Sequence, residues 1–376
     1  MPWPVLLLCR ELDLGGSERQ MTETAKSLDR SRFEPHVGAF LPEGMRAREL
    51  RALGIPVVEF PVYSFQSAGA VRQAFRLAAY IRRHGIRVVH AWDYPLNVFA
   101  IPVARVMTNA VALKSQRSHR ELLSGSYRKL ERATDRFAHA TVVNCEFVRD
   151  HLVSDEHIPI RRIELCHNGI DLVQFEGLKR VRRREFQASS VVIGVVCALR
   201  PEKDLPTLIT AFAGVRELHS GASLAIVGSG SMLEELKSLA RSLAIENACV
   251  FVPATRDVPE WLASIDIFVM PSRSEAFSNA IMEAMACGCA VVASNLGGNR
   301  ELVKHGDTGL LFKPADAGAL AKAINQLIAD VDLRRRLAAA AQTRIREQFS
   351  NTAAAHRMGE IYESLIQANS SCKTPL

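Results

Sequence analysis

Short runs of aliphatic and β-branched residues alternate along this chain with longer stretches of helical period. That alternation restricts the fold more than any other feature. Val5 to Cys9 (VLLLC), HVGAF, IPVVEF, RVVHAW, AVALKSQ and TVVN read as strands. Helices are expected from about Ser17 to Leu28, through MRARELRALG to Gly54, through AVRQAFRLAAYIRRHG to Gly85, and through SYRKLERATDRFAHA. Strands and helices in alternation specify an α/β chain with parallel sheets.

After HNGIDLVQF a polar and strongly basic stretch, EGLKRVRRREFQASS, breaks the pattern and reads as a linker. A second series of the same kind follows: VVIGVV, LPTLITAFAGVREL, SLAIVG, a helix from Met232, ACVFV and DIFVMPS. A chain of 376 residues suits two domains of ordinary size. The expected organisation is a Rossmann-like domain over residues 1–175, a linker over 176–190, a second Rossmann-like domain over 191–352, and a helix over 353–376 that returns to the first domain. Two doubly wound units side by side leave a cleft at the carboxyl ends of both sheets.

The net charge is +7, from 47 basic and 40 acidic residues. This suits a phosphorylated small molecule, an acidic membrane face or nucleic acid. No RNA- or DNA-binding signature accompanies it, which argues against nucleic acid. Cys287 and Cys289 form C-G-C, too tight for zinc spacing and without a second half. The eight scattered cysteines therefore read as reduced, mostly buried thiols of a cytoplasmic protein. MPWPVLLLCRELD fits a buried first strand better than a signal peptide. No run approaches the roughly 18 apolar residues of a spanning helix.

Two acids stand in an apolar setting, Glu275 and Glu283 in PSRSEAFSNAIMEAMACGCAVVAS. IFVMP is a strand that Pro271 ends, and SRSEAFSN is the loop after its carboxyl end, where ligands sit in such folds. Ser278 or Asn279 can cap a helix that Gly288 stops. Free N–H groups at that helix start attract phosphate, and carboxylates accept hydrogen bonds from sugar hydroxyls. The set fits a sugar nucleotide. The plainer alternative gives Glu283 to the helix dipole and Glu275 to solvent.

The longer block PSRSEAFSNAIMEAMACGCAVVASNLGGNRELVKHGDTGLLF closely resembles the donor-binding segment of family 4 glycosyltransferases, which have the GT-B fold. Asn168 to Asp171 (NGID), Gly15-Gly16 and Pro201 to Lys203 (PEK) also match the family, so the resemblance covers nearly the whole chain. It implies that Glu283 holds the nucleotide ribose and that Glu275 contacts the donor sugar. The backbone of Ala276, Phe277, Ser278 and Asn279 would lie near sugar and phosphate. Arg200 and Lys203 would neutralise the diphosphate; two cations at a strand's carboxyl end can stabilise the charge on a departing phosphate. Many members place the arginine two residues earlier, where this chain has Ala198, and Arg200 takes its place.

VGSGS has only G-x-G after a strand and lacks the third glycine of a dinucleotide motif. The resemblance puts Gly228 in that loop near the nucleotide and Val258, in TRDVPEW, beside the base. It sets Gly16 close to the donor phosphate. Arg117, Ser118 and His119 follow a strand end and could face the acceptor, with His119 as a general base or simply a hydrogen-bonding loop residue. His90 and Asp93 also end a strand and leave the same choice open.

The resemblance further implies a retaining transfer from a UDP- or GDP-linked sugar to a hydroxyl of a glycan or lipid-linked acceptor, as in cell-surface polysaccharide, lipopolysaccharide or glycolipid synthesis. No cofactor or metal is expected, and Asp330 and Asp332 read as a helix cap. Basic segments RLAAYIRRHGIR, SYRKLERATDR and KRVRRR would suit peripheral contact with the inner face of the cytoplasmic membrane, at about 1 kcal/mol per nearby cation. Solvated helix faces explain them equally well. The rival functions are a catalytically degenerate sugar-nucleotide binder and an epimerase or phosphorylase of similar fold.

Overall fold

The computed structural model describes residues 1–13, 15–118, 120 and 123–371. Among them, strands β1 Trp3–Glu11, β2 Phe33–Leu41, β3 Val57–Glu59, β4 Val88–Ala91, β5 Val111–Gln116, β6 Ala140–Val143 and β7 Ile163–Leu165 form one sheet. Its order is β3-β2-β1-β4-β5-β6-β7. Strands β8 Val191–Val196, β9 Ala222–Val227, β10 Cys249–Val252, β11 Ile267–Met270, β12 Ala290–Ser294 and β13 Leu310–Phe312 form a second, in the order β10-β9-β8-β11-β12-β13. Pairing is parallel throughout both sheets. The strand order reverses between β1 and β4 and again between β8 and β11, and ligands bind at such switch points.

The chain divides into two compact units. The first holds Met1–Gly169 and helix Asn351–Ser371. Along β1, Val5, Leu7 and Cys9 enter one core with Met21, Phe33, Met358, Ile361 and Tyr362. Leu6 and Leu8 enter another with Leu77, Ile81, Leu96 and Phe99. The period of two thus buries both faces of the sheet, which is why these strands lack polar alternation. Each fully buried aliphatic or aromatic side chain contributes about 1.5–3 kcal/mol.

The second unit is Ile170–Ser350. It opens and closes on adjacent backbone: Ile170 pairs with Ser350, and its N–H donates to Phe349 O at 2.9 Å. The basic stretch 176–190 is packed onto this unit. Arg180 Nη1 donates to Gly288 O at 2.6 Å, Arg182 Nη2 to Asp266 Oδ2 at 2.6 Å, and the Arg183 guanidinium lies 4.1 Å over the Trp261 ring. Its cations satisfy carbonyls and an acid that end nearby elements. No helix among the described residues is long and apolar enough to cross a membrane.

Candidate functional site

In the second unit, the loops after β8 and β11 meet at the switch point. Past β8 the chain makes a single 3-10 turn, Pro201–Lys203, before helix Leu205–Leu218. Asp204 joins the two in a left-handed conformation, φ 49° and ψ 42°, which Asp tolerates better than most residues. Its buried carboxylate accepts from Thr207 Oγ1 at 2.8 Å and pairs with Arg273 Nε at 3.0 Å. Arg273 N–H also donates to Glu202 O at 2.8 Å. One residue of the post-β11 loop therefore binds the post-β8 turn through backbone and side chain.

That clamp brings Lys203 Nζ to 2.5 Å from Glu275 Oε2, and Ser272 Oγ donates to the same oxygen at 3.2 Å. Burial favours the neutral amine of Lys203, but the charge and hydrogen bond of Glu275 outweigh it and hold the ammonium above its ordinary pKa. Cys197 lies close by, its thiol pushed by burial to about 12 and so kept neutral.

Downstream, Ser278 caps helix Asn279–Ala286, its side chain accepting from Ile281 N–H at 3.3 Å. Glu283 is buried in that helix, and the helix ends before Gly288 at φ 74°. Phe277 is buried with its ring 5.5 Å from that of Phe349. A Cβ on Gly298 would sit 1.6 Å from Ala276 O, so the Gly297-Gly298 pair lets the post-β12 turn press against the Glu275 loop. Asn299 Nδ2 donates to Ser294 O and Oγ, both at 3.2 Å, and Ser294 Oγ donates to Ser272 O at 2.7 Å.

Gly228 has φ 150°, and a Cβ there would lie 1.8 Å from Cys197 O. Packing against the post-β8 segment accounts for this glycine. Val258 opens the short helix Val258–Ala263 and is half-buried. Arg200 faces solvent, 66% exposed, with Nη1 3.9 Å from Glu202 Oε1. The structure thus joins Lys203 and Glu275 directly and leaves Arg200 outside their ion pair. Sequence reasoning missed Asp204, Arg273 and Ser272, for which no motif spacing gives a signal.

In the first unit, Gly16 begins helix Gly16–Ser27 and is exposed. His119 lies outside the described residues. His90 is fully buried, with Nδ1 2.9 Å from Tyr362 Oη and Nε2 2.9 Å from Ser115 Oγ. Burial, and secondarily Arg117, keep it neutral. Both ring nitrogens serve the core, which leaves none for an acceptor. Asp93 caps helix Tyr94–Met107 through Leu96 N–H at 3.1 Å and accepts from Arg10 N–H at 2.5 Å. Burial raises its carboxyl to about 7.

Two family models match the chain. One, described as Glycosyltransferase Family 4, matches residues 14–174, and the other, Glycosyl transferases group 1, matches residues 180–344. N-acetyl-alpha-D-glucosaminyl L-malate synthase of Bacillus anthracis is 28% identical over 60% of this chain and 61% of its own length. GDP-mannose-dependent alpha-(1-6)-phosphatidylinositol monomannoside mannosyltransferase of Mycobacterium tuberculosis is 31% identical over 46% of this chain and 49% of its own. The chain thus spans about half to three-fifths of these relatives. The solved structure of HepE from Anabaena, in complex with UDP and glucose, superposes with a TM-score of 0.81 at 24% identity, over 96% of this chain and 99% of that one. With one model tiling each unit and a shared architecture over nearly all residues, the chain belongs to glycosyltransferase family 4 and has the GT-B fold.

Proposed function

We propose that the protein is a retaining, metal-independent glycosyltransferase that moves a sugar from a UDP- or GDP-linked donor to a hydroxyl of a glycan or lipid-linked acceptor. The observation that carries this reading is the Lys203–Glu275 pair at the switch point, beside the helix that holds Glu283. Lys203 would take the donor diphosphate and Glu275 a sugar hydroxyl, so one ligand engages both members of a preformed pair. Glu283 would accept from the ribose hydroxyls. Gly228, Val258 and the backbone from Ala276 to Asn279 would line the rest of the donor. In the transfer, the anomeric C1–O bond breaks and the nucleoside diphosphate leaves with its electron pair. The acceptor oxygen bonds C1 on the same face, and its proton passes to a phosphate oxygen. Fixed positive charge on the leaving group lowers that barrier.

The exposure of Arg200 favours one rival, a binder that has lost catalysis. A thermal-shift screen of UDP, GDP, ADP and their sugar conjugates in EDTA tests the donor site, since a ligand of the native state raises apparent stability. One nucleotide should raise Tm, and Glu283→Ala should abolish the shift. A folded wild type that responds to none would refute the donor site. A shift without donor hydrolysis or transfer would favour the degenerate binder.

A further inference from the structure

Three buried or partly buried cations in this protein come with acids. Lys114 Nζ meets Glu131 at 2.9 Å, Arg120 meets Asp135 at 2.8 Å and Glu156 at 3.1 Å, and Lys203 meets Glu275 at 2.5 Å. Half-buried Arg117 differs from these three. It follows β5 at the carboxyl end of the first sheet, and its guanidinium lies 4.8 Å over the ring of Trp92, which follows β4. Its hydrogen-bond partner among the described residues is the neutral amide oxygen of Asn168, just past β7. No carboxylate among the described residues forms an ion pair with it. Burial brings its pKa down to about 10, and the groups nearby that oppose this are the thiols Cys166 and Cys145. Cys166 is itself pushed by burial to about 11, and His90 is neutral. At neutral pH the positive charge of Arg117 is therefore unanswered by any carboxylate among the described residues.

Keeping a guanidinium partly desolvated without a counter-ion is costly. Stacking on an indole offsets part of that cost and fixes the plane of the fork. A planar fork held at the ligand end of a doubly wound sheet suits bidentate capture of an oxyanion.

We propose that Arg117 binds an oxyanion, carboxylate or phosphate, carried by the sugar acceptor. The inference rests on the glycosyl-transfer reading above and narrows its acceptor to an anionic one. Asn168 steadies one guanidinium N–H, leaving the other edge for the ligand, and Trp92 reports on occupancy.

The test is a tryptophan-fluorescence titration of the full chain with L-malate, glycerol 3-phosphate, and vesicles of phosphatidylglycerol or phosphatidylcholine, with the nucleotide thermal shift run alongside. At least one anionic probe should give a saturable response that weakens tenfold or more in Arg117→Gln and less in Arg117→Lys. Response to the small anions points to a soluble acceptor, and response to phosphatidylglycerol alone to a lipid headgroup. Arg117→Gln should keep the wild-type Tm and nucleotide shift, because the charge it removes has no ion-pair partner among the described residues. Equal anion responses in wild type and Arg117→Gln overturn the proposal. So does a nucleotide shift in wild type with no anion response, and so does a Tm several degrees lower in Arg117→Gln. An Arg117-dependent response without any nucleotide shift would instead overturn the donor site and leave the anion site standing.

Discussion

Lys203 meets its counter-charge before any ligand arrives, and this shapes how its loss should read. In Lys203→Met the partly buried Glu275 carboxylate loses its cation, and the leaving group loses a fixed charge. Transfer should slow on the order of 10²- to 10³-fold. The sign of the pH effect follows from the raised ammonium pKa: the contribution of Lys203 is complete below the ordinary lysine range and fades only as pH rises through the higher folded value. Steady-state rates measured from neutral to mildly alkaline pH should therefore show no lysine-like decline in wild type. A rate falling through the ordinary lysine range would contradict the pairing. Lys203, Glu275 and Glu283 are legible in sequence because they stand in motifs of fixed spacing beside strand ends. Asp204 and Arg273 are not. Their pairing depends on two loops that meet only after β8 and β11 lie side by side, and neither loop announces the other.

The helix Asn351–Ser371 shows how an element is fixed by what it covers. Met358, Ile361, Tyr362 and Ile366 close one face of the first sheet, and the Tyr362 hydroxyl satisfies His90. Tyr362→Phe keeps the packing but strands a buried ring nitrogen, at a cost of about 1–3 kcal/mol. Urea denaturation should show a lower midpoint with an unchanged slope; an unchanged midpoint would mean that the bond contributes nothing. Most strands and several helices could be read from periodicity, but helix Tyr94–Met107 could not. It is apolar on nearly every side and contains Pro95 and Pro102, which mask it as a loop. Its first proline sits in the opening turn, where a missing N–H is harmless, and Asp93 caps it. The basic stretch 176–190, read as a linker, shows what composition leaves out. Its composition matches a solvated tether, yet Arg180 and Arg182 spend their charge on carbonyls and Asp266. Composition reports polarity and is silent about partners.

For the whole molecule, the excess of seven positive charges is a statement about surroundings. Helix Ala68–Arg83 exposes Val71 and Phe75 beside Arg72 and Arg83, a mixture suited to the headgroup region of an anionic bilayer. Co-sedimentation with phosphatidylglycerol vesicles should fall with added salt and fall further in Arg72→Glu/Phe75→Ser. Binding to neutral vesicles that matches the anionic ones would reject an electrostatic contact. The first unit is also written in two pieces, with the second unit inserted between them. Synthesis order and folding order must then diverge. On the ribosome, strands β1 to β7 emerge before the inserted unit, but the helix that closes their core emerges after it. The inserted unit has all of its strands and can close earlier, its two ends drawn together by the pairing of Ile170 with Ser350. The portion translated first thus waits with an uncovered apolar face, and that interval is when a nascent chain of this design is most exposed to aggregation.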